Sequence, residues 1–221
     1  MSIKIITTED GSHSLFDEEL NETYHSTRGA RGESMHVFIK EGLEHWRSQN
    51  KADEIRILEV GLGTGLNAFF TALFADTHQQ KIQFTSLEPF PIEKEFYEDL
   101  NYFQTAEERG LLLKIHESNW EKEEKLSSNF TLQKTKSKLE DFTSSNSFHI
   151  IYFDAFAPSK QPEVWSLDNL KKCHSLLTNG GVLTTYCAQG QFKRNLAEAG
   201  FTVETLKGAM GKKEMVRGFK P

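Results

Sequence analysis

Two hydrophobic periods alternate along most of this chain. Residues 55–60, 82–87, 148–153 and 182–186 are short apolar runs of strand length. Between them lie longer stretches in which apolar residues recur every three or four positions, the spacing of one helix face. The core therefore reads as strand 55–60, helix 66–74, strand 82–87 and helix 91–100. A charged segment of mixed character follows over 101–129, then strands 130–133 and 148–153, helix 167–177, strand 182–186 and helix 192–199. Asn179-Gly180-Gly181 is expected to cap the 167–177 helix. Segments 201–206 and 214–218 read as a closing hairpin. Ahead of the core, 3–8 is β-favouring and is followed by Glu9-Asp10-Gly11-Ser12, a hairpin turn. Met35, Phe38, Ile39, Leu43 and Trp46 then recur at helical spacing over 34–46.

Strands alternating with helices predict an α/β fold: a mainly parallel sheet covered by helices on both faces. The final strand pair, with no helix between, predicts one antiparallel edge strand. The division expected is an N-terminal extension, residues 1–50, packed on a core domain, residues 51–221.

Composition narrows the class. The chain has 221 residues, 37% hydrophobic and 26% charged, with formal net charge −6. That suits a single folded domain and excludes disordered and collagenous chains. No apolar run approaches the roughly 20 residues of a membrane helix, so no membrane contact is expected. The N-terminus, from Met1 and Ser2 onward, lacks a secretory signal. Two cysteines, Cys173 and Cys187, cannot form a disulfide scaffold, and a cytoplasmic setting is the default. The eight histidines are scattered without metal-ligand spacing, so no metal is assigned. The acidic balance argues against a general nucleic-acid binder and leaves room for a local basic face.

Glu59-Val60-Gly61-Leu62-Gly63-Thr64-Gly65-Leu66-Asn67 joins the first core strand to its helix. Glycines permit the sharp turn and let backbone amides approach a ligand; the same loop also serves as a tight turn with no ligand. Glu88 ends the next core strand, where a carboxylate accepts from ribose hydroxyls. Together these elements fit an adenosine-containing cofactor. No Walker lysine follows the glycines, which disfavours a P-loop. Asp154 ends the most apolar strand and is either a helix cap or a group that orients or deprotonates a nucleophile. Pro158 and Pro162 stiffen the loop after it, where Lys160 and Trp165 are candidates for a pocket wall. Lys212 and Lys213 lie in a glycine-lysine loop between the last two strands, read either as a phosphate contact or as a solvated hairpin. The Lys/Glu-rich stretch 121–138 reads as solvated helix faces.

These segments together resemble the methyltransferase domain of the MnmC family, bacterial enzymes that finish 5-methylaminomethyl-2-thiouridine at the tRNA wobble position. The resemblance rests on Gly61 through Asn67, on Leu87-Glu88-Pro89-Phe90-Pro91, on Asp154-Ala155-Phe156-Ala157-Pro158-Ser159-Lys160 through Trp165, and on Lys207-Gly208 through Met215. The Asp154-to-Trp165 stretch is more specific than the glycine loop, because generic methyltransferases do not share it.

The resemblance implies a class I methyltransferase fold with a seven-stranded sheet, S-adenosylmethionine as cofactor, and tRNA, through its anticodon region, as partner. Glu59, Gly61, Gly63, Thr64, Gly65, Asn67, Glu88 and Asp154 fall on cofactor-side positions, and Asp154 on the catalytic one. Phe156, Pro158, Lys160, Trp165, Lys212 and Lys213 fall on substrate-side positions. The family usually places Gly-Asp after the third strand, where the acid contacts adenine. Here Lys134-Thr135 stands there, with Thr135 the aligned position and Ser137 or Glu140 the neighbours. The bifunctional family members carry an FAD-dependent oxidase domain after this one, so the expected acceptor is an aminomethyl-uridine already present on tRNA. Methyl or aminopropyl transfer to a free small amine, and a non-catalytic adenosyl-binding module, are the alternatives.

Overall fold

A computed structural model describes residues 3–221; Met1 and Ser2, at the head of the expected extension, lie outside the described residues. The N-terminal segment forms a small antiparallel sheet of β1 (Ile3–Thr7), β2 (His13–Asp17) and β3 (Glu22–Thr23). Thr8, Asp10 and Ser12 close its first turn: Thr8 Oγ1 donates to Asp10 Oδ1 at 2.6 Å and Ser12 N to the same oxygen at 3.0 Å. A continuous helical segment follows as α1 (Ala30–Ser34), a π-wound stretch (Met35–Glu44) and α2 (His45–Gln49). The wider winding shifts the buried face. Val37, Phe38, Ile39, Gly42, Leu43 and Trp46 are buried, while Met35, expected on the apolar face, is exposed. Gly42 lets this helix lie close on the sheet, since a Cβ there would stand 3.2 Å from the Tyr152 ring.

The core elements are β4 (Glu54–Val60), α3 (Leu66–Thr77), β5 (Lys81–Leu87), α4 (Lys94–Tyr97), α5 (Ala106–Glu117), β6 (Glu123–Lys125), β7 (Phe130–Thr135) and β8 (Phe148–Phe153). They continue as α6 (Leu167–Leu176), β9 (Leu177–Thr185), α7 (Gly190–Glu198), β10 (Thr202–Lys207) and β11 (Glu214–Phe219). The main sheet runs β10-β11-β9-β8-β4-β5-β7-β6. Neighbours from β9 to β7 are parallel. Alternate residues feed two cores. Ile57, Phe84, Ile150 and Tyr152 pack under the π-wound helix and α3. Leu58, Ile151, Phe153 and Leu183 pack under α6 and α7. Both faces are covered, so the central strands read as continuous apolar runs.

Several expectations are corrected. The sheet has eight strands, because β6 adds a short antiparallel strand on β7. The antiparallel strand β11 is not at the edge; it is inserted between β9 and β10, pairing with both. Only Lys94–Tyr97 of the expected 91–100 segment is α-helical. The 101–129 segment resolves into α5, capped by Thr105 Oγ1 accepting from Glu108 N at 3.2 Å, and β6. Asn179-Gly180-Gly181 does not cap α6. It lies inside β9, with Gly180 in a left-handed conformation at φ +73°, and Gly180 N donates to Lys220 O at 2.9 Å, so the chain continues as a strand with a tertiary partner instead of ending the helix. Lys134, expected on a solvated face, is fully buried in β7; its Nζ donates to His116 O at 2.5 Å and lies 4.6 Å from the Trp120 ring centroid.

Gly110 sits in the interior of α5, without a left-handed backbone, and nothing lies within 4 Å of where a methyl group would stand. Gly110→Ala should stabilise the protein by about 0.5–1 kcal/mol through helix propensity alone, measurable as a raised urea midpoint at unchanged slope.

Candidate functional site

From β4 the chain leads to β5 and β7 on one side, while β8 and β9 lie on the other, which makes the carboxyl ends of β4 and β8 the switch point where open α/β sheets bind ligands. Two backbone bonds tie the loops there. Gly61 N donates to Leu87 O at 2.9 Å, and Asp154 N donates to Val60 O at 3.0 Å. Gly61 has φ +95°, and a Cβ on it would stand 2.6 Å from Asp154 O. The turn into α3 therefore presses against the strand end that carries Asp154. Gly63 and Gly65 also take positive φ, 50° and 72°.

Glu88 caps this loop from the end of β5. Its Oε2 accepts from Gly63 N at 3.0 Å and its Oε1 from Phe90 N at 2.9 Å. Burial raises its pKa, and the backbone amides oppose that. Val60, Leu87, Pro89 and Leu139 give the cavity beside it an apolar wall, joined by Ser137, Lys138 and Glu140. Thr135 does not reach that wall: its carbonyl accepts from Glu88 N at 3.0 Å and its Oγ1 is buried without a partner. The residues after it, from Ser137, replace it there.

Asp154 opens into the same cavity. Asn67 Nδ2 donates to its Oδ2 at 2.8 Å, and Ser34 Oγ donates to Asn67 Oδ1 at 2.5 Å, which fixes the amide orientation. Burial pushes the Asp154 carboxyl up to about 7; the Asn67 hydrogen bond and Lys212 oppose this, and Glu33 adds to it. Glu59 stands behind the loop, fully buried, accepting from Ser86 Oγ at 2.5 Å. Burial raises its pKa well above its ordinary value, and the Ser86 hydrogen bond opposes this.

The raised Asp154 value has a sign for stability. The unfolded carboxyl, at the usual 3.8, releases its proton before the folded one at about 7. Between those values the unfolded chain binds fewer protons, so stability falls as pH rises across the window. Asp154→Asn should be more stable than wild type by about 2 kcal/mol at pH 8, solvent in the open cavity reducing the full shift, and no more stable at pH 4. Thermal melts at the two pH values check this.

The other wall is aromatic and charged. Tyr24 meets Phe156 edge-on with ring centroids 4.9 Å apart. Tyr186 donates its hydroxyl to Ala155 O at 2.8 Å. Lys212 lines the cavity, pairs with Glu33, and holds its ammonium 4.6 Å from the Tyr186 ring centroid. His25 bonds Thr64 Oγ1 through Nε2 at 2.6 Å, and His116 Nε2 donates to Thr64 O at 3.0 Å. Burial pushes both rings down to about 4, so both are neutral.

Of the residues singled out from sequence, Gly61, Gly63, Glu88, Asp154, Phe156 and Lys212 line one cavity. Asn67 reaches it through Asp154. Thr64 and Gly65 shape the loop from behind. Pro158, Lys160 and Lys213 are not on the cavity wall. Trp165 is a core residue, buried against Phe153 and Phe192, with Nε1 donating to Phe156 O at 2.8 Å; it braces the loop from the far side. Tyr24 and Glu33 lie in segments that give weaker support to the family resemblance, but the sequence assigns no site role to them or to Tyr186. They come from three separate segments, and no local spacing links them.

The residues fit S-adenosylmethionine. The glycine turn brings backbone amides to the cavity, a partly buried carboxylate at the end of β5 suits a ribose diol, and the Leu87–Leu139 wall suits a flat ring. Among the described residues no group of three or more His, Cys, Asp or Glu side chains is placed to hold a metal, and no helix is long and apolar enough to cross a membrane.

Comparison with known proteins agrees with this geometry. The bifunctional MnmC protein of Campylobacter hominis, named for tRNA 5-methylaminomethyl-2-thiouridine biosynthesis, is 30% identical over 211 residues, covering 93% of this chain and 31% of the relative. That of Burkholderia mallei is 30% identical over 235 residues, covering 97% and 35%. The chain thus spans about a third of the length of these curated relatives. The crystal structure of MNMC2 from Aquifex aeolicus superposes with TM-score 0.78 at 24% identity, over 100% of this chain and 72% of that one. Streptomyces venezuelae DesVI shares the fold at TM-score 0.52 and 10% identity, over 86% and 92%. A family profile of S-adenosyl-L-methionine-dependent methyltransferases matches residues 101–221, more than half of the chain. With the glycine loop, Glu88 and Asp154 gathered at one sheet edge, this chain belongs to that family of S-adenosyl-L-methionine-dependent methyltransferases.

Proposed function

We propose that this protein methylates the primary amine of a 5-aminomethyl-uridine at the wobble position of tRNA, giving 5-methylaminomethyl-uridine. The observation that carries the reading is Asp154, a carboxyl of near-neutral proton affinity facing the cofactor cavity. The names of the relatives supply the acceptor.

Bound in the slot, the sulfonium methyl group is the electrophile. The chain must deliver a neutral amine to it. An alkylamine with pKa about 10 costs about 4 kcal/mol to deprotonate at pH 7. Passing that proton to an ordinary aspartate, some six units more acidic, would cost about 8 kcal/mol; raising Asp154 to about 7 roughly halves that. Asp154 takes the proton, and Asn67 keeps its carboxylate aimed. With the donor bound, the amine lone pair would form the new N–C bond as the C–S electron pair left with sulfur; the product would depart as the secondary ammonium, and Asp154 would release its proton to solvent to complete the turnover. Tyr24, Phe156 and Tyr186 form an aromatic wall suited to an unstacked pyrimidine.

A second reading has its own observation. Asp17, Glu22, Glu33 and Glu163 also line the cavity, while Lys160, a candidate for its wall, does not. An acidic cavity suits a free small amine as well. Methyl transfer from labelled S-adenosylmethionine to tRNA carrying aminomethyl-uridine, compared with free diamines, decides between them. Label in 5-methylaminomethyl-uridine supports the proposal. Label only in free amines replaces the acceptor, and no label in either leaves a binding module.

A further inference from the structure

The cavity already holds one alkylammonium group, and it belongs to the protein. Lys212, carried on the loop between β10 and β11, places its ammonium on the carboxylate of Glu33 and 4.6 Å from the ring centroid of Tyr186. Glu33 is 6% exposed, and its second oxygen accepts from Ser26 N at 2.9 Å. Tyr186 is fixed by its bond to Ala155 O, next to Asp154. A carboxylate so buried needs a cation beside it. A carboxylate plus an aromatic face is a site for an alkylammonium ion. Both groups border the same cavity as Asp154.

We propose that Glu33 and Tyr186 form the recognition site for the acceptor's ammonium group, and that Lys212 is an internal occupant which the incoming amine displaces. The inference rests on the acceptor reading above for the identity of the amine, but the ammonium site follows from the residues themselves. The exchange trades one cation for another on Glu33, so the buried carboxylate stays neutralised throughout. It delivers the protonated amine beside Asp154, the group that removes its proton. Lys212, once displaced, is free to meet the polyanionic backbone that carries the acceptor. The site also explains why the cavity is acidic in a protein whose acceptor is attached to a nucleic acid: it selects the amine, not the chain that bears it.

The test is calorimetric binding of 5-aminomethyluridine and of 5-hydroxymethyluridine, a pair of similar shape that differs in charge, to wild type, Glu33→Gln and Lys212→Met. Glutamine keeps an acceptor for Ser26 N, and methionine keeps an unbranched apolar stem; melting curves verify that both variants fold. Lys212→Met should bind the aminomethyl compound about 10-fold more tightly than wild type, with the hydroxymethyl compound unchanged. Glu33→Gln should lose the preference for the charged compound. An unimproved affinity in Lys212→Met, or a retained preference in Glu33→Gln, overturns the proposal. Propylammonium serves as the probe that separates the two readings. The same variant pattern with propylammonium, but no methyl transfer to tRNA, keeps the ammonium site and discards the tRNA acceptor. Normal transfer to tRNA with an unchanged KM in Glu33→Gln keeps the acceptor and discards the site.

Discussion

Replacing Asp154 with asparagine is expected to lower kcat by about 10²–10⁴-fold, the range for loss of a positioned general base, with little change in affinity for S-adenosylmethionine. The side chain keeps its shape, and its amide oxygen still accepts from Asn67 Nδ2, which now lies 2.8 Å from Asp154 Oδ2. What disappears is the proton acceptor. In wild type the carboxylate form fills as pH rises through about 7, so kcat/KM should climb across that pH and the variant should lack the climb. Stability moves the opposite way over the same interval, because holding Asp154 ionised in its buried setting costs free energy. Activity and melting temperature measured together from pH 5 to 8 should therefore cross. A variant with wild-type turnover would remove Asp154 from proton transfer.

The second large effect belongs to Gly61. Alanine there must adopt φ +95° and bring its Cβ within 2.6 Å of Asp154 O, a backbone atom at the end of β8. Neither partner is a flexible side chain. Relief requires moving the glycine turn away from β8, which breaks the Asp154 N to Val60 O bond of 3.0 Å or the Gly61 N to Leu87 O bond of 2.9 Å. Strain of this kind costs about 1–3 kcal/mol for the backbone alone, and the clash adds to it. At about 2–4 °C per kcal/mol for a domain of this size, the melting temperature should drop by roughly 10 °C. Cofactor binding should be lost as well, since the same turn lines the cavity. Gly180→Ala is the control: it also has positive φ, 73°, but nothing lies within 4 Å of its Cβ. It should cost the φ penalty without the loss of binding.

Much of the architecture was legible because it is written locally. The strands around Ile57, Phe84 and Ile150 are apolar on both faces, a pattern that only a sheet covered on both sides satisfies. Gly61, Glu88 and Asp154 each sit one step beyond such a strand, so strand order alone brings them to one edge. The failures share a cause. Gly180 and Gly181 look like a helix cap, yet Gly180 lies in β9 with Lys220 as its partner, some forty positions away in the chain. Lys134 looks solvated, yet β6, α5 and Trp120 close over it. Trp165 sits in the most family-specific stretch and falls by resemblance on the substrate side, yet it packs behind the loop, because a large ring stabilises most where it is fully enclosed.

The sequence by itself determined the central parallel strands, the glycine turn, and the two carboxylates at strand ends, since these depend on hydrophobic period and on backbone freedom at single positions. Only the tertiary structure decided the insertion of β11 between β9 and β10, the proton affinity of Asp154, and the meeting of Tyr24, Glu33, Tyr186 and Lys212 around it. Those depend on burial and on contacts between segments far apart in the chain. A carboxyl group acquires its working pKa from what encloses it, and no residue in this sequence states what will enclose it.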